Sequence, residues 1–234
     1  MIIAKRFILL CMLILTVGCA NKGIPVDRVA TATKAITIVP TGKIRYDVSS
    51  NRGGAGFGLI GVLVEQAATA DGNKSSTTIL EKEIPQNSIF NAAVEEFKKN
   101  LAKSGQGQLV TVSEPVLADK PSQEWFSDTK KEHITKNPNL KSDLALEISF
   151  PSVGISKEFG GYYAIGFISA KLVDIKTGAI VGSASAYNIG MTSGISIDGD
   201  EGRPDYPVAV KKAFDTLARS LANQAYAKLY PAPQ

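Results

Sequence analysis

Tyr162-Tyr163-Ala164-Ile165-Gly166-Phe167-Ile168-Ser169-Ala170-Lys171-Leu172-Val173-Asp174 is followed, across Ile175-Lys176-Thr177-Gly178, by Ala179-Ile180-Val181-Gly182-Ser183-Ala184-Ser185-Ala186-Tyr187. Both arms have the composition of strands, and the joint supplies a glycine for the positive-φ position of a short turn. The pair predicts an antiparallel β-hairpin. Just before it, Asp143-Leu144-Ala145-Leu146-Glu147-Ile148-Ser149-Phe150 alternates with period two and predicts a further strand. Just after it, residues 189–205 are rich in Gly and Asp and read as a loop. A long helix follows: Pro207 suits a first turn, and Asp205 or Tyr206 suits the cap. Val210, Phe214, Leu217, Ala218, Leu221, Ala222, Ala225 and Leu229 fall on one face, and Pro231 stops the helix.

The amino-terminal half mixes both element types. Ala35-Ile36-Thr37-Ile38-Val39 alternates and is β-branched; Pro40-Thr41-Gly42 breaks it; Lys43-Ile44-Arg45-Tyr46-Asp47-Val48 alternates again. These two strands form either a hairpin or one kinked strand. Residues 59–68 read as a helix that is apolar on nearly every side through Val64, residues 71–76 as a loop, and residues 77–84 as either a short strand or the lead into a helix. Residues 88–104 predict an amphipathic helix, with Ile89, Phe90, Ala93, Val94, Phe97 and Leu101 on the inner face. Glu95, Glu96, Lys98 and Lys99 take the wet face, Asn87 or Ser88 the cap, and Gly105 the end. Residues 108–112 predict a strand and residues 122–131 a short helix. This order predicts an α/β (α+β) class: a mixed sheet with a carboxy-terminal antiparallel hairpin and helices packed on it. One domain over residues 35–230, with a tail at 231–234, accounts for the length.

The first eighteen residues read as an export signal. Lys5 and Arg6 precede an eleven-residue apolar run, residues 7–17, short of the ~20 that a spanning helix needs. The run ends in Thr16-Val17-Gly18-Cys19, which resembles the lipobox of bacterial lipoproteins, with Thr16 where that family usually has Leu. The resemblance implies cleavage before Cys19, a diacylglycerol on its thiol and acylation of the new amino terminus. Ala20, in place of Asp, implies export to the outer membrane. Each buried CH₂ adds about 0.8 kcal/mol, so several chains make a lasting anchor to membrane lipid. Residues 20–33 are small and polar and read as a tether, the second part of a 19–34 anchor segment.

Loss of Lys5 and Arg6 takes the formal charge from +4 to +2, which gives no argument for nucleic-acid binding. Cys11 leaves with the signal, so lipidation of Cys19 uses the last thiol and excludes a disulfide in the mature chain.

Candidate sites divide into weak patterns and surface candidates. Gly56-Phe57-Gly58-Leu59-Ile60-Gly61 fits a dinucleotide pattern, and Glu81 lies twenty residues on, but several residues separate it from the strand ending near Val48. A glycine loop capping a packed helix accounts for it; contact of residues 53–64 with a membrane or partner is the other reading. His133, the single histidine, sits among Lys130, Lys131, Glu132 and Lys136 and is a surface residue. Asp198, Asp200, Glu201 and Asp205 lack the EF-hand spacing and read as an acidic turn. No G-x-S-x-G motif is present. Phe57, Leu59, Ile60, Trp125, Phe126, Tyr162 and Tyr163 are the candidate membrane or partner contacts. No catalytic, cofactor or metal residue is assigned.

The element order over about residues 35–230, and the turn Leu172-Val173-Asp174-Ile175-Lys176-Thr177-Gly178-Ala179-Ile180-Val181, resemble envelope lipoproteins of the curli-secretion and penicillin-binding-protein-activator type. That resemblance implies an α/β fold like the amino-terminal domain of TolB. The anchor, together with the lack of a catalytic constellation in the sequence, favours a non-enzymatic binding, scaffold or activator protein in the envelope, with another envelope protein or copies of itself as partner. The alternatives are an oligomeric secretion-channel component and an envelope ligand-binding protein or hydrolase.

Overall fold

The computed structural model describes residues 23–50, 80–105, 109–115, 140–158, 161–197 and 206–232. In chain order the elements are α1 (Arg28–Thr31), β1 (Ile36–Pro40), β2 (Arg45–Ser50), α2 (Gln86–Lys103), β3 (Val110–Val112), β4 (Leu144–Glu158), β5 (Gly161–Asp174), β6 (Ile180–Asn188), α3 (Gly190–Ser193), β7 (Ile195–Ser196) and α4 (Tyr206–Leu229). A helical turn also occupies residues 80–83, with Leu80 and Ile84 buried, so the undecided segment leads into α2.

The hairpin is joined to the rest of the sheet through β5, with β6 at the edge. β5 pairs antiparallel with β4 on one side and β6 on the other. Gly178 closes the turn at φ 72°, donating its N–H to the Asp174 carbonyl at 2.7 Å. Across the sheet the order is β3-β1-β4-β5-β6. β1 and β2 both run parallel to β4, from Ile36 opposite Leu144 to Pro40 opposite Ile148, then from Arg45 opposite Ser152 to Ser50 opposite Lys157. The other edge of β4 is taken by β5, so β1 and β2 lie end to end on the remaining edge. They are one kinked strand and not a hairpin. Gly42, at φ 75°, makes the kink, and β4 answers with its own irregularity between Ser149 and Ser152.

The far flank of β5 is built in the same way. β6 pairs with it as far as Asn188 opposite Gly166, and β7 then returns to pair Ile195 with Ala164. Residues 189–197 are therefore α3 and β7 where a plain loop was expected. Gly190, at φ 46°, supplies the reversal that lets the chain leave the ladder and rejoin it.

α2 and α4 pack on each other and on one sheet face. All six apolar residues expected on the inner face of α2 are buried, as are the eight of α4. The Phe90 and Phe150 rings meet edge to face at 5.6 Å, joining α2 to β4. Two details of α2 differ from expectation. Pro85 is its N-cap residue, and Ser88 lies inside the first turn, donating its hydroxyl back to the Pro85 carbonyl at 2.7 Å. Glu96 is also not on the wet face. Its side chain is 5% exposed, 3.1 Å from Lys99 Nζ and 3.9 Å from Arg219 Nη1, because α4 covers that flank of α2. Gly105 ends the helix at φ 76° as expected. Tyr46 donates its hydroxyl to the Ile84 carbonyl, and burial raises its pKa well above the usual tyrosine range.

The segment read as a tether is docked from residue 23 onward. Ile24 bridges Ser183 on the edge of β6, and the Val26 N–H donates to the Leu229 carbonyl at 2.8 Å. Val26 is buried against Gly182, where the lack of a side chain leaves room for it. Small residues therefore mark a close approach here, and not a free linker. Among the described residues no helix is long and apolar enough to cross a membrane.

Candidate functional site

β6 leaves the sheet at a residue that faces inward. Asn188 is 2% exposed; its Oδ1 accepts from Gln224 Nε2 at 2.8 Å, and its Nδ2 donates to Ser220 Oγ at 3.4 Å, both on α4. Strand alternation then turns its neighbours Tyr187 and Ile189 to the opposite face. Ile189 keeps extended backbone, so it continues that face past the end of β6. Phe167 shares it, standing opposite Tyr187 in the β5–β6 ladder.

The next turn is clamped as firmly. The Met191 N–H donates to Glu158 Oε2 at 2.9 Å, while Ser156 Oγ donates to Glu158 Oε1 at 2.9 Å. The carboxylate lies so close to Gly190 that a Cβ there would collide with it. The Ile189 N–H donates to Ser193 Oγ at 2.9 Å, closing α3 on itself. On this pinned backbone Tyr187, Ile189 and Met191 are 56%, 56% and 54% exposed. Fully covering such a side chain contributes about 1.5–3 kcal/mol. A backbone already held in place loses little conformational freedom when a partner covers it. The arrangement suits contact with a protein surface. Among the described residues no group of three or more His, Cys, Asp or Glu side chains is placed to hold a metal ion.

The aromatic pair named from the sequence is divided by the sheet. Tyr162 is buried at 5% exposure beneath the helices, and Tyr163 is half-buried on the outer face. They do not form one exposed cluster, because consecutive strand residues point oppositely. Cys19, Phe57, Leu59, Ile60, Trp125, Phe126, His133, the Gly56–Gly61 pattern and the acidic residues Asp198, Asp200, Glu201 and Asp205 lie outside the described residues. Glu81 is exposed on the helical turn before α2. Sequence reasoning missed Tyr187, Ile189 and Met191 as a group. The alternation Tyr187-Asn188-Ile189 ahead of Gly190 was the available signal, and it was hidden by assigning residue 189 to a loop.

No protein-family model and no curated protein matches the sequence. Among solved structures, the chain is similar to the PelC dodecamer from Paraburkholderia phytofirmans at 12% identity, covering 91% of this chain and 96% of that one with a TM-score of 0.37. It is also similar to protein XCC0632 from Xanthomonas campestris, at 12% identity over 80% of each chain with a TM-score of 0.35. A third similarity is to lipoprotein GNA1162 from Neisseria meningitidis, at 16% identity over 79% of this chain and 98% of that one, TM-score 0.23. Similarity this slight leaves the function to be read from the chain's own residues.

Proposed function

We propose that this chain is a lipoprotein anchored in the outer membrane through Cys19, facing the periplasm, and that its domain is a non-enzymatic binding or scaffold protein. The partner is another protein of the envelope, docked on the shoulder formed by Tyr187, Ile189 and Met191. The observation that carries the reading is that shoulder: three apolar side chains, each more than half exposed, on a backbone clamped from two sides. The lipobox-like Thr16-Val17-Gly18-Cys19 and the following Ala20 support the anchor and its membrane.

The anchor is tested by Cys19→Ala, which is expected to leave an uncut precursor without acyl chains. Normal cleavage and acylation of that variant would sink the lipoprotein reading. The binding role is tested with a photo-crosslinking residue in place of Met191, in the lipidated protein in its membrane, followed by mass spectrometry. One dominant envelope protein, lost when Tyr187→Glu and Ile189→Asp are added, is the expected result. A ladder of self-multiples would replace the scaffold reading with self-assembly, and no adduct at all would overturn the shoulder as a docking surface.

A further inference from the structure

The docked strap over residues 23–34 fixes how far the domain can stand from its anchor. Gly23 is wedged against the Ser183 backbone, the Ser183 N–H donates to the Ile24 carbonyl at 2.8 Å, and the Ile24 N–H donates to Ser183 Oγ at 3.2 Å. Val26 is tied to Leu229, and the Arg28 guanidinium donates to the Tyr230 carbonyl while lying 5.8 Å over the Tyr230 ring. The Ala35 N–H ends the strap on Asp143 Oδ2 at 2.8 Å. Only residues 20–22 stand between Cys19 and Gly23. Four Cα steps reach about 14 Å at full extension. The headgroup layer of one leaflet is itself about 5–7 Å thick. That leaves at most about 7–9 Å between the headgroups and Gly23, less than the diameter of one helix.

The outward face of the strap has the composition for that position. Ile24, Pro25, Val29, Ala30 and Ala32 are exposed, and Val29, at 88%, stands out further than any other large apolar residue described. The strap's one carboxylate, Asp27, is turned back on its own chain, accepting from the Val29 and Ala30 N–H groups at 2.9 and 3.1 Å. Arg28 and Lys34 flank the apolar residues.

We propose that the outer face of residues 24–33 rests on the bilayer, with Ile24 and Val29 seated at the boundary of headgroups and acyl chains. This rests on the reading of Cys19 as the acylated residue. It sets which edge of the domain faces the bilayer: the β6–α4 edge near Val26 and Leu229 lies down, and Tyr187, four residues further along β6 from Ser183, lies about 13 Å away along the strand. Val208, at the opposite end of α4 from Leu229, is about 32 Å away along the helix axis.

The test uses the full acylated protein in vesicles of phosphatidylethanolamine and phosphatidylglycerol, with a fluorophore on Val29→Cys or, as the distant control, on Val208→Cys. Both residues are exposed, so neither substitution disturbs the core. Lipids brominated near the glycerol are the quencher. The expected result is quenching at residue 29 several-fold stronger than at residue 208. Equal or weaker quenching at residue 29 in protein shown by mass to be acylated and vesicle-bound overturns the inference alone. A protein that carries no acyl chain overturns the anchor and the inference together.

Discussion

The Val26 N–H donates to the Leu229 carbonyl at 2.8 Å, joining the start of the described chain to the last residue of its last helix. The same valine fills the space that Gly182 leaves on β6; a Cβ on residue 182 would run into its side chain and crowd Leu229. Gly182→Val is therefore expected to eject the strap and to cost about 1–3 kcal/mol through overpacking. Val26→Ala, which empties the same space, is expected to cost about 1–2 kcal/mol. Urea unfolding measures both, and limited trypsin cleavage at Arg28 reports strap release directly. Unchanged midpoints and an uncut strap in Gly182→Val would mean that residues 23–34 are not held as described.

Glu96 and Arg219 give a second expectation, in which burial and screening oppose each other. The carboxylate is buried, but Lys99 and Arg219 are 56% and 42% exposed, so much of their attraction passes through water. Glu96→Gln keeps the shape and is expected to cost less than about 1 kcal/mol. Glu96→Leu is expected to be neutral or stabilising, because it removes the desolvation cost of a buried charge. Glu96→Ala opens a void between α2 and α4 and is expected to cost about 1–3 kcal/mol. Thermal and urea unfolding of the three variants gives the order; a Gln variant as unstable as the Ala variant would show the charge itself to be the strut.

These residues also show where the sequence was legible. Hydrophobic spacing identified α2, α4 and the β5–β6 hairpin, because each presents one face to one core and the period is visible locally. Glu96 escaped that logic: its burial is caused by α4, more than a hundred residues away, and nothing in the local pattern of α2 announces it. The strap escaped for a related reason. Small residues at 23–35 have no period, and only the matching glycine on β6 shows that they are packed. The kinked β1–β2 strand was one of two stated readings, decided by β4, whose single free edge takes both halves. The shoulder was lost at the boundary between strand and loop, where Ile189 keeps its extended backbone one residue past β6.

The hairpin turn carries an acid-sensitive contact. Asp174 Oδ1 accepts from the Thr177 N–H and hydroxyl, each at 2.9 Å, and Lys34 Nζ lies 3.4 Å from Oδ2. The hydrogen bonds to Thr177 are the main cause holding its pKa below the usual 3.8, with Lys34 adding to them. The unfolded chain then binds the proton more readily than the folded one, so stability rises with pH across the interval between the two values. The contribution is complete above the ordinary aspartate value and is lost as pH falls through the depressed one. Asp174→Asn is expected to flatten the stability-versus-pH curve below about pH 4. Urea unfolding between neutral and acid pH checks it; parallel curves for the two proteins would remove Asp174 from the acid response.

Three consecutive positions at the end of β6 test whether the shoulder is a free surface on a clamped frame. Tyr187 and Ile189 are each 56% exposed, while Asn188 between them is buried and bonded to Gln224 and Ser220. Tyr187→Ser and Ile189→Ser are expected to change stability by no more than about 0.5 kcal/mol, as surface substitutions do. Asn188→Ala is expected to cost about 1–3 kcal/mol, because it removes the 2.8 Å acceptor of Gln224 and opens a buried gap, leaving Gln224 only its longer 3.3 Å contact to Ser220. Gly190→Ala combines a positive φ with a collision against the Glu158 carboxylate, so it is expected to cost a similar amount and to free α3. Unfolding measurements should therefore alternate along the strand: small at 187, large at 188, small at 189, large at 190. Hydrogen exchange at the Met191 amide adds the local readout, since that N–H is held by Glu158 and should lose protection in Gly190→Ala alone among the four. Costs at 187 and 189 equal to the cost at 188 would mean that these side chains support the fold, and the shoulder would no longer be available as a docking surface.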